Sequence, residues 1–347
     1  MEIEKRIPVH IITGFLGSGK TTFLNQIIQG QKSERIMVIE NEIGEVNIDS
    51  TLVVQEAIAV MGITAGCICC SLNEELYDVL AALADRRDDF DRLIVETTGI
   101  AEPESIAEIF LRNHGVEAVF DLQNVICLAD AQFLEESLKD TDTARRQILG
   151  ADVILLNKMD LLEKATTEAA ELSEMLRGIN PLARIYTGSF GAFPISEILS
   201  LHTTHDKGAE AQTRIVEQSH DYKHHDISTF CLTFDEDFKI SELGYELTRL
   251  LALYRHQIYR VKGIVAYDGE PTKLVIQSVR NMVAFSDGTA WAEGEVRRSK
   301  IVFIGKDVGR AAIEKIFARC LVKPILPKVS AQNSLLRRPI NPQKPIF

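Results

Sequence analysis

The run Gly14-Phe15-Leu16-Gly17-Ser18-Gly19-Lys20-Thr21-Thr22 concentrates glycines, hydroxyls and one lysine in a pattern that suits polyphosphate chemistry. It fits G-x-x-x-x-G-K-[ST], and it falls between an apolar run and an amphipathic one, where a strand would hand over to a helix. Gly14, Gly17 and Gly19 let the backbone wrap so that successive N–H groups point at phosphate oxygens. Ser18 and Thr22 add hydroxyl donors, and the positive end of the following helix adds to the field. Lys20 is placed to neutralise the β- and γ-phosphates, and the Thr21 hydroxyl to ligate Mg²⁺.

Two further segments complete such a site. Leu93-Ile94-Val95-Glu96-Thr97-Thr98-Gly99 reads as an apolar strand ending in an acid, with a glycine three residues on. Glu96, in place of the more usual aspartate, would hold the Mg²⁺ water shell, and the Gly99 amide could meet the γ-phosphate. Asn157-Lys158-Met159-Asp160 follows the apolar strand Val153–Leu156. The Asp160 carboxylate can accept from the guanine ring N–H and its exocyclic amine, a pairing adenine does not offer. A site built on such bonds rejects the analogue lacking them by roughly 10⁴-fold, because the acceptor is left unpaired. Lys158 can lie along the ring, and Asn157 can either contact the base or tie loops together. GTP is therefore the expected nucleotide, against a P-loop kinase or ATPase.

The third constellation is Gly66-Cys67-Ile68-Cys69-Cys70. In an extended chain Cys67 and Cys69 face one side and Cys70 the other, so a turn is needed to gather all three. Thiolates are soft ligands suited to Zn²⁺ or Cu(I), and three leave one tetrahedral position for a carboxylate, a histidine, water or a second subunit. Inert buried thiols and a redox sensor are the competing readings. With Cys127, Cys231 and Cys320 the chain has six cysteines, and three crowded within four residues do not look like a disulfide framework.

The elements that must position these residues alternate. Apolar runs at Val9–Thr13, Ile36–Glu40, Leu93–Glu96, Val125–Ala129, Val153–Leu156 and Arg184–Tyr186 are separated by helical patterns such as Lys20–Gln29, Asn73–Ala84 and Glu168–Ile179. That alternation predicts an α/β domain with a mainly parallel sheet over residues 1–199. Residues 200–226 lose apolar periodicity and carry His202, His205, His220, His224 and His225, which reads as a polar linker. Beyond it the pattern predicts strands at Ile227–Phe234, Ile258–Tyr267, Lys273–Val279 and Lys300–Gly305, with helices at Ile240–Tyr254 and Val308–Cys320. Strands not regularly interleaved with helices point to a smaller α+β domain over 227–322. Residues 323–347 form a basic, proline-containing tail without an acid.

The whole chain carries a formal net charge of −12 with 25% charged and 46% hydrophobic residues. This is globular composition, and its sign disfavours nucleic acid and anionic membrane as partners. The first residues do not make a signal peptide and no run reaches the roughly 18 apolar residues of a span, so the expected location is the cytoplasm.

Taken in order, GFLGSGKTT, the segment Glu40–Asp49, GCICC, ETTG and NKMD resemble the CobW-type metallochaperone GTPases, relatives of the urease and hydrogenase nickel-insertion GTPases. The second domain is similar to that family's at Lys262-Gly263, Trp291 and Arg297–Gly305. The resemblance implies a GTPase whose Cys67, Cys69 and Cys70 bind a transition metal, zinc first, with Glu40 and Glu45 as accessory ligands. It places Asp49 in the first switch segment, beside Mg²⁺. It further implies delivery to a metalloprotein client under nucleotide control, with a homodimer possible. Cobalt delivery for cobalamin synthesis, nitrile hydratase activation and passive metal storage are the alternatives. A water-positioning glutamine is not evident near these motifs, so slow intrinsic turnover is expected.

Overall fold

The strand Ile7–Gly14 (β1) is apolar on both faces, which suits the centre of a parallel sheet covered by helices on either side. In the computed structural model, which describes residues 6–42, 59–64, 71–201, 222–224, 227–279 and 281–322, it occupies that place. Chain order continues with helix Lys20–Gly30 (α1), strands Ile36–Glu42 (β2) and Ala59–Thr64 (β3), helix Ser71–Ala84 (α2) and strand Arg92–Glu96 (β4). Helices Pro103–Arg112 (α3) and His114–Val119 (α4) lead to the long strand Phe120–Asp130 (β5). Helices Leu134–Asp140 (α5) and Asp142–Gly150 (α6), strand Val153–Asn157 (β6), helix Ala165–Ile179 (α7), strand Arg184–Thr187 (β7) and helix Ile195–Leu199 (α8) follow.

The strands lie in the order β3-β2-β4-β1-β5-β6-β7, every neighbouring pair parallel. β4 and β5 flank β1 on opposite sides, so the chain changes direction across the sheet at β1, where doubly wound sheets open a crevice at the strands' carboxyl ends. All the expected strands of this sheet are present. β3 and helices α3 to α6 are additions, and β5 starts five residues before the expected Val125.

The second sheet is antiparallel, in the order β12-β11-β10-β13-β9-β8. Its strands are Tyr222–His224 (β8), Ile227–Phe234 (β9), Ile258–Val265 (β10), Thr272–Val279 (β11), Met282–Ala290 (β12) and Ser299–Lys306 (β13). Helices Ile240–Leu253 (α9) and Arg310–Phe317 (α10) cover one face. Alternation along β13 explains how this sheet is buried on both sides. Ile301 and Phe303 join Leu243, Leu247, Leu250 and Phe317 of α9 and α10 in one core. Val302 and Ile304 pack with Ile148, Leu172, Leu176 and Ile179 of α6 and α7. The second sheet thus leans its free face on the helices of the first. β8 falls inside the stretch expected to be a linker, and β12 was not expected.

Candidate functional site

Gly14, the last residue of β1, has φ +141, and a Cβ there would sit 2.3 Å from the Leu128 carbonyl oxygen. Gly17 and Gly19 have φ +76 and +101, in the region that favours glycine. Each glycine is needed for the turn between β1 and α1. Lys20 and Thr21 open α1, and the Lys20 ammonium donates to the Gly14 and Phe15 carbonyls at 3.0 and 3.4 Å, closing over the loop. The Ser18 hydroxyl is buried without a hydrogen-bond partner among the described residues, as is the Thr98 hydroxyl. A glycine cradle holding a buried, unserved hydroxyl and an ammonium fits a polyanion.

The Thr21 hydroxyl donates to Glu96 Oε1 at 3.1 Å, joining α1 to the end of β4. A hydroxyl and a carboxylate are hard oxygen donors, the set that suits Mg²⁺. Glu40 is in register with Glu96 on the adjacent strand, and both carboxylates are buried at the carboxyl edge of the sheet. After Glu96 the chain crosses β1, with Thr97 N–H on the Ile12 carbonyl and the Thr97 hydroxyl on Thr13. Gly99 then presses on the phosphate loop so closely that a Cβ would lie 2.8 Å from Leu16 N. The carbonyls of Gly99 and Ala101 accept from Gln147 Nε2 of α6, both at 3.1 Å.

At the end of β6, Asn157 is buried and ties loops together. Its Nδ2 donates to the Ser18 carbonyl at 2.9 Å, and its Oδ1 accepts from Gly191 N–H at 3.3 Å. Lys158 is left-handed at φ +63 and pairs with Asp130 at the end of β5, 2.7 Å away. Asp160 is exposed, and its carboxylate makes no hydrogen bond or ion pair to a described residue. Its own N–H donates to the Ser189 hydroxyl at 3.0 Å, and Met159 N–H to the Gly188 carbonyl at 3.2 Å. Thr22 is exposed at the start of α1. Phosphate loop, Glu96 loop and Asp160 loop therefore meet at one edge of the sheet, through Thr21, Gly99 and Asn157.

Glu45, Asp49, Cys67, Cys69 and Cys70 lie outside the described residues, as do His202, His205, His220 and His225. Among the described residues no group of three or more histidine, cysteine, aspartate or glutamate side chains is placed to hold a metal. Cys127 sits in β5 beneath the phosphate loop, and burial pushes its thiol up to about 12 even with Lys20 nearby. At neutral pH it is an inert core thiol.

Two family models cover most of the chain: "CobW/HypB/UreG, nucleotide-binding domain" matches residues 8–187, and "Cobalamin synthesis protein cobW C-terminal domain" matches residues 227–321. The chain belongs to the CobW family. Among CobW-family relatives, the zinc chaperone YjiA of Escherichia coli is 34% identical over 321 residues, covering 90% of this chain and 98% of that protein. The zinc chaperone CobW of Pseudomonas aeruginosa is 29% identical, covering 90% and 91%. The crystal structure of Zn(II)-bound YjiA GTPase superposes with a TM-score of 0.66 at 29% identity, over 92% of this chain and all of that one. As a member of this family the chain is a P-loop GTPase.

This CobW-family site also uses residues that sequence reasoning missed. The loop Gly188–Gly191 supports the Asp160 segment through Gly188, Ser189 and Gly191, and the paired glycines around Ser189-Phe190 were its one available signal. Asp130 and Gln147 gave none, since a strand-end acid and a helical glutamine are common and their partners lie 28 and 46 to 48 residues away in sequence.

Proposed function

We propose that the chain is a GTP-driven metallochaperone that carries zinc on Cys67, Cys69 and Cys70 and releases it to a client metalloprotein under nucleotide control. The observation that carries this reading is near full-length similarity to a zinc chaperone, with an intact nucleotide edge in which the cysteine segment lies between Glu40 and Glu96 in sequence. Glu40 and Glu45 would assist the thiolates.

In this scheme the N–H groups of residues 14–22 and the Lys20 ammonium hold the phosphates, and the Gly99 amide meets the γ-phosphate. Asp160 selects guanine, Lys158 lies along the base, and Asn157 keeps the phosphate and base loops in register. Thr21, Glu96 and Asp49 would hold Mg²⁺, which neutralises charge on the β- and γ-phosphates. Switching then follows from the covalent order of segments. Residues 40–49 and 96–101 bracket the cysteines, so γ-phosphate contacts on either flank bias the cysteine segment. A coupling of about 1–3 kcal/mol changes metal affinity by roughly 5- to 150-fold.

Support for partner docking comes from the same edge. Leu16, Ile100, Phe133, Leu161 and Phe190 are exposed, and they follow the carboxyl ends of β1, β4, β5, β6 and β7 respectively. An apolar ring around the nucleotide loops suits a client or a second copy whose docking depends on the bound nucleotide.

The test is a Zn²⁺ titration against a competing chelator, with GDP and with a non-hydrolysable GTP analogue. A Cys67/Cys69/Cys70→Ser protein is the control. Tight, cysteine-dependent binding that moves several-fold between nucleotides is expected. Tight binding indifferent to nucleotide would leave a passive metal-binding module instead.

A further inference from the structure

Gln147 is a buried side chain on α6 that hydrogen-bonds neither the phosphate loop nor the Asp160 segment, yet it fixes two carbonyls of the loop after Glu96. That loop is pressed against Leu16, and α6 holds it from behind through the Gln147 amide at Gly99 and Ala101 and through Arg146, which pairs with Glu102 at 3.1 Å. Three residues further on, α6 ends, and its last carbonyls need donors from outside the helix. Asn180 Nδ2 supplies one, reaching the Ile148, Leu149 and Ala151 carbonyls at 2.7, 3.3 and 2.9 Å. The other comes from the second domain. Arg260 of β10 donates one guanidinium nitrogen to the Leu149 and Ala151 carbonyls at 3.1 and 2.7 Å. Its other nitrogen bonds to Asp152, which also takes Lys262 at 2.5 Å and accepts from Val125 N–H at 2.9 Å.

The helix that sets the loop is thus held at its end by the second domain. Elsewhere along α6 a cleft of about 450 Å³, lined by Arg145 and Arg146 on one side and Arg255 and His256 on the other, separates the domains. The second sheet also packs on α7 and touches α3, and the clamp at Arg260 is its polar tie to the end of α6, through which a shift of the second domain would reach that helix.

We infer that Gln147 is a positioning residue for GTP hydrolysis, and that Arg260 of the second domain sets it through α6. This rests on the role given to the Gly99 loop under the proposed function. Movement of the second domain, as a client would impose, then reaches the γ-phosphate side of the site without any residue of that domain touching nucleotide. Displacing a positioned loop by about 1 Å can cost up to 100-fold in rate, whereas binding of GDP, which lacks the γ-phosphate, does not use that loop.

The experiment compares the full chain with Gln147→Met, Arg260→Met, the double variant and Gly99→Ala, measuring kcat and KM for GTP hydrolysis, GDP affinity and thermal stability. For Gln147→Met, kcat falls about tenfold while KM and GDP affinity stay within about twofold. Arg260→Met shifts kcat the same way, and the double variant is within about twofold of Gln147→Met alone, since both act on one helix. Unchanged kcat in Gln147→Met, or a loss spread equally over GDP affinity, overturns the positioning role. Multiplying losses in the double variant overturn the link to the second domain. If Gly99→Ala loses kcat and Gln147→Met does not, the inference fails and the loop's role stands. If Gly99→Ala is as active as the parent, the loop's role fails and takes the inference with it. Should Gln147→Met not fold, Gln147→Asn, one methylene short of both carbonyls, replaces it with the same expected outcomes.

Discussion

Asp160 and Gly14 answer to different physics, though both belong to the nucleotide edge. Asp160 is exposed and carries no structural bond through its carboxylate, so its removal costs the fold little. Asp160→Ala should leave thermal stability near that of the parent while narrowing the preference for GTP over ATP by about 100-fold or more, because the acceptor pair for guanine is lost. Competition of both nucleotides against a fluorescent GDP analogue measures it, and an undiminished preference would move base recognition elsewhere. Gly14 is the reverse case. Its backbone is at φ +141 and a Cβ would meet the Leu128 carbonyl at 2.3 Å, an atom fixed in β5 that cannot step aside. Gly14→Ala should destabilise the chain by more than about 2 kcal/mol in urea unfolding, whether or not nucleotide is present. An alanine variant of parental stability would mean that β1 and β5 can part there at little cost.

At the scale of elements, what the sequence shows depends on how local the cause is. The strand-to-helix transition at Gly14–Lys20 announces itself because the glycines, the lysine and the flanking apolar run are contiguous. Asn157 offered two roles in sequence, and its burial between Ser18 and Gly191 assigns it the structural one. β12 was illegible for a physical reason: Met282–Ala290 is an edge strand with one neighbour, and its Ser286-Asp287-Gly288 reads as a turn. β8 is three residues long and polar, too short to show a period. Helix α6 ends locally on Gly150, with Ala151 N–H on the Ile148 carbonyl, but its carboxyl end is also held from a distance by Asn180 and Arg260, which no neighbouring residue announces. That gives a prediction at this scale. Asn180 is fully buried and makes three carbonyl contacts, while its Oδ1 accepts from Leu182 N–H at 3.2 Å. Asn180→Ala removes one of the donors to each of these carbonyls and leaves the Leu182 N–H without its acceptor, and should cost about 1–3 kcal/mol in urea unfolding. A loss under about 0.5 kcal/mol would mean that Arg260 alone suffices to hold the helix end.

At the scale of the whole molecule the two domains meet through charge as well as apolar packing. Asp152 belongs to the first domain, Arg260 and Lys262 to the second, and all three side chains are buried. Burial by itself would raise the Asp152 carboxyl, but Arg260, Lys262 and the Val125 N–H outweigh it and hold it at about 2. For Lys262 burial is the larger influence. It lowers the ammonium to about 8, with Arg260 pushing the same way and Asp152 pulling back. The carboxylate is therefore the group the cluster cannot lose. Removing it strands two buried cations, so Asp152→Asn should cost about 3–5 kcal/mol near pH 7, whereas Lys262→Met should stay within about 1 kcal/mol, since it discards a charge that burial already penalises. The pH dependence follows from the same shifts. Asp152 has a folded value below its unfolded 3.8, so its contribution is complete above about pH 4 and is lost as pH falls towards 2, amounting to about 2 kcal/mol. Lys262 lies below its unfolded 10.5, so the unfolded chain binds more protons between pH 8 and 10.5, and stability gains there as pH rises. Urea unfolding of parent and Asp152→Asn between pH 7 and pH 2 checks the acid limb. The gap between the two proteins should be constant down to about pH 4 and then narrow, because protonated Asp152 resembles the amide. A gap that persists unchanged to pH 2 would mean that the carboxylate stays ionised in the folded chain throughout, whereas no gap even at pH 7 would mean that the clamp is held by packing of Val302 and Ile304 on α6 and α7, with the ions contributing nothing to its stability.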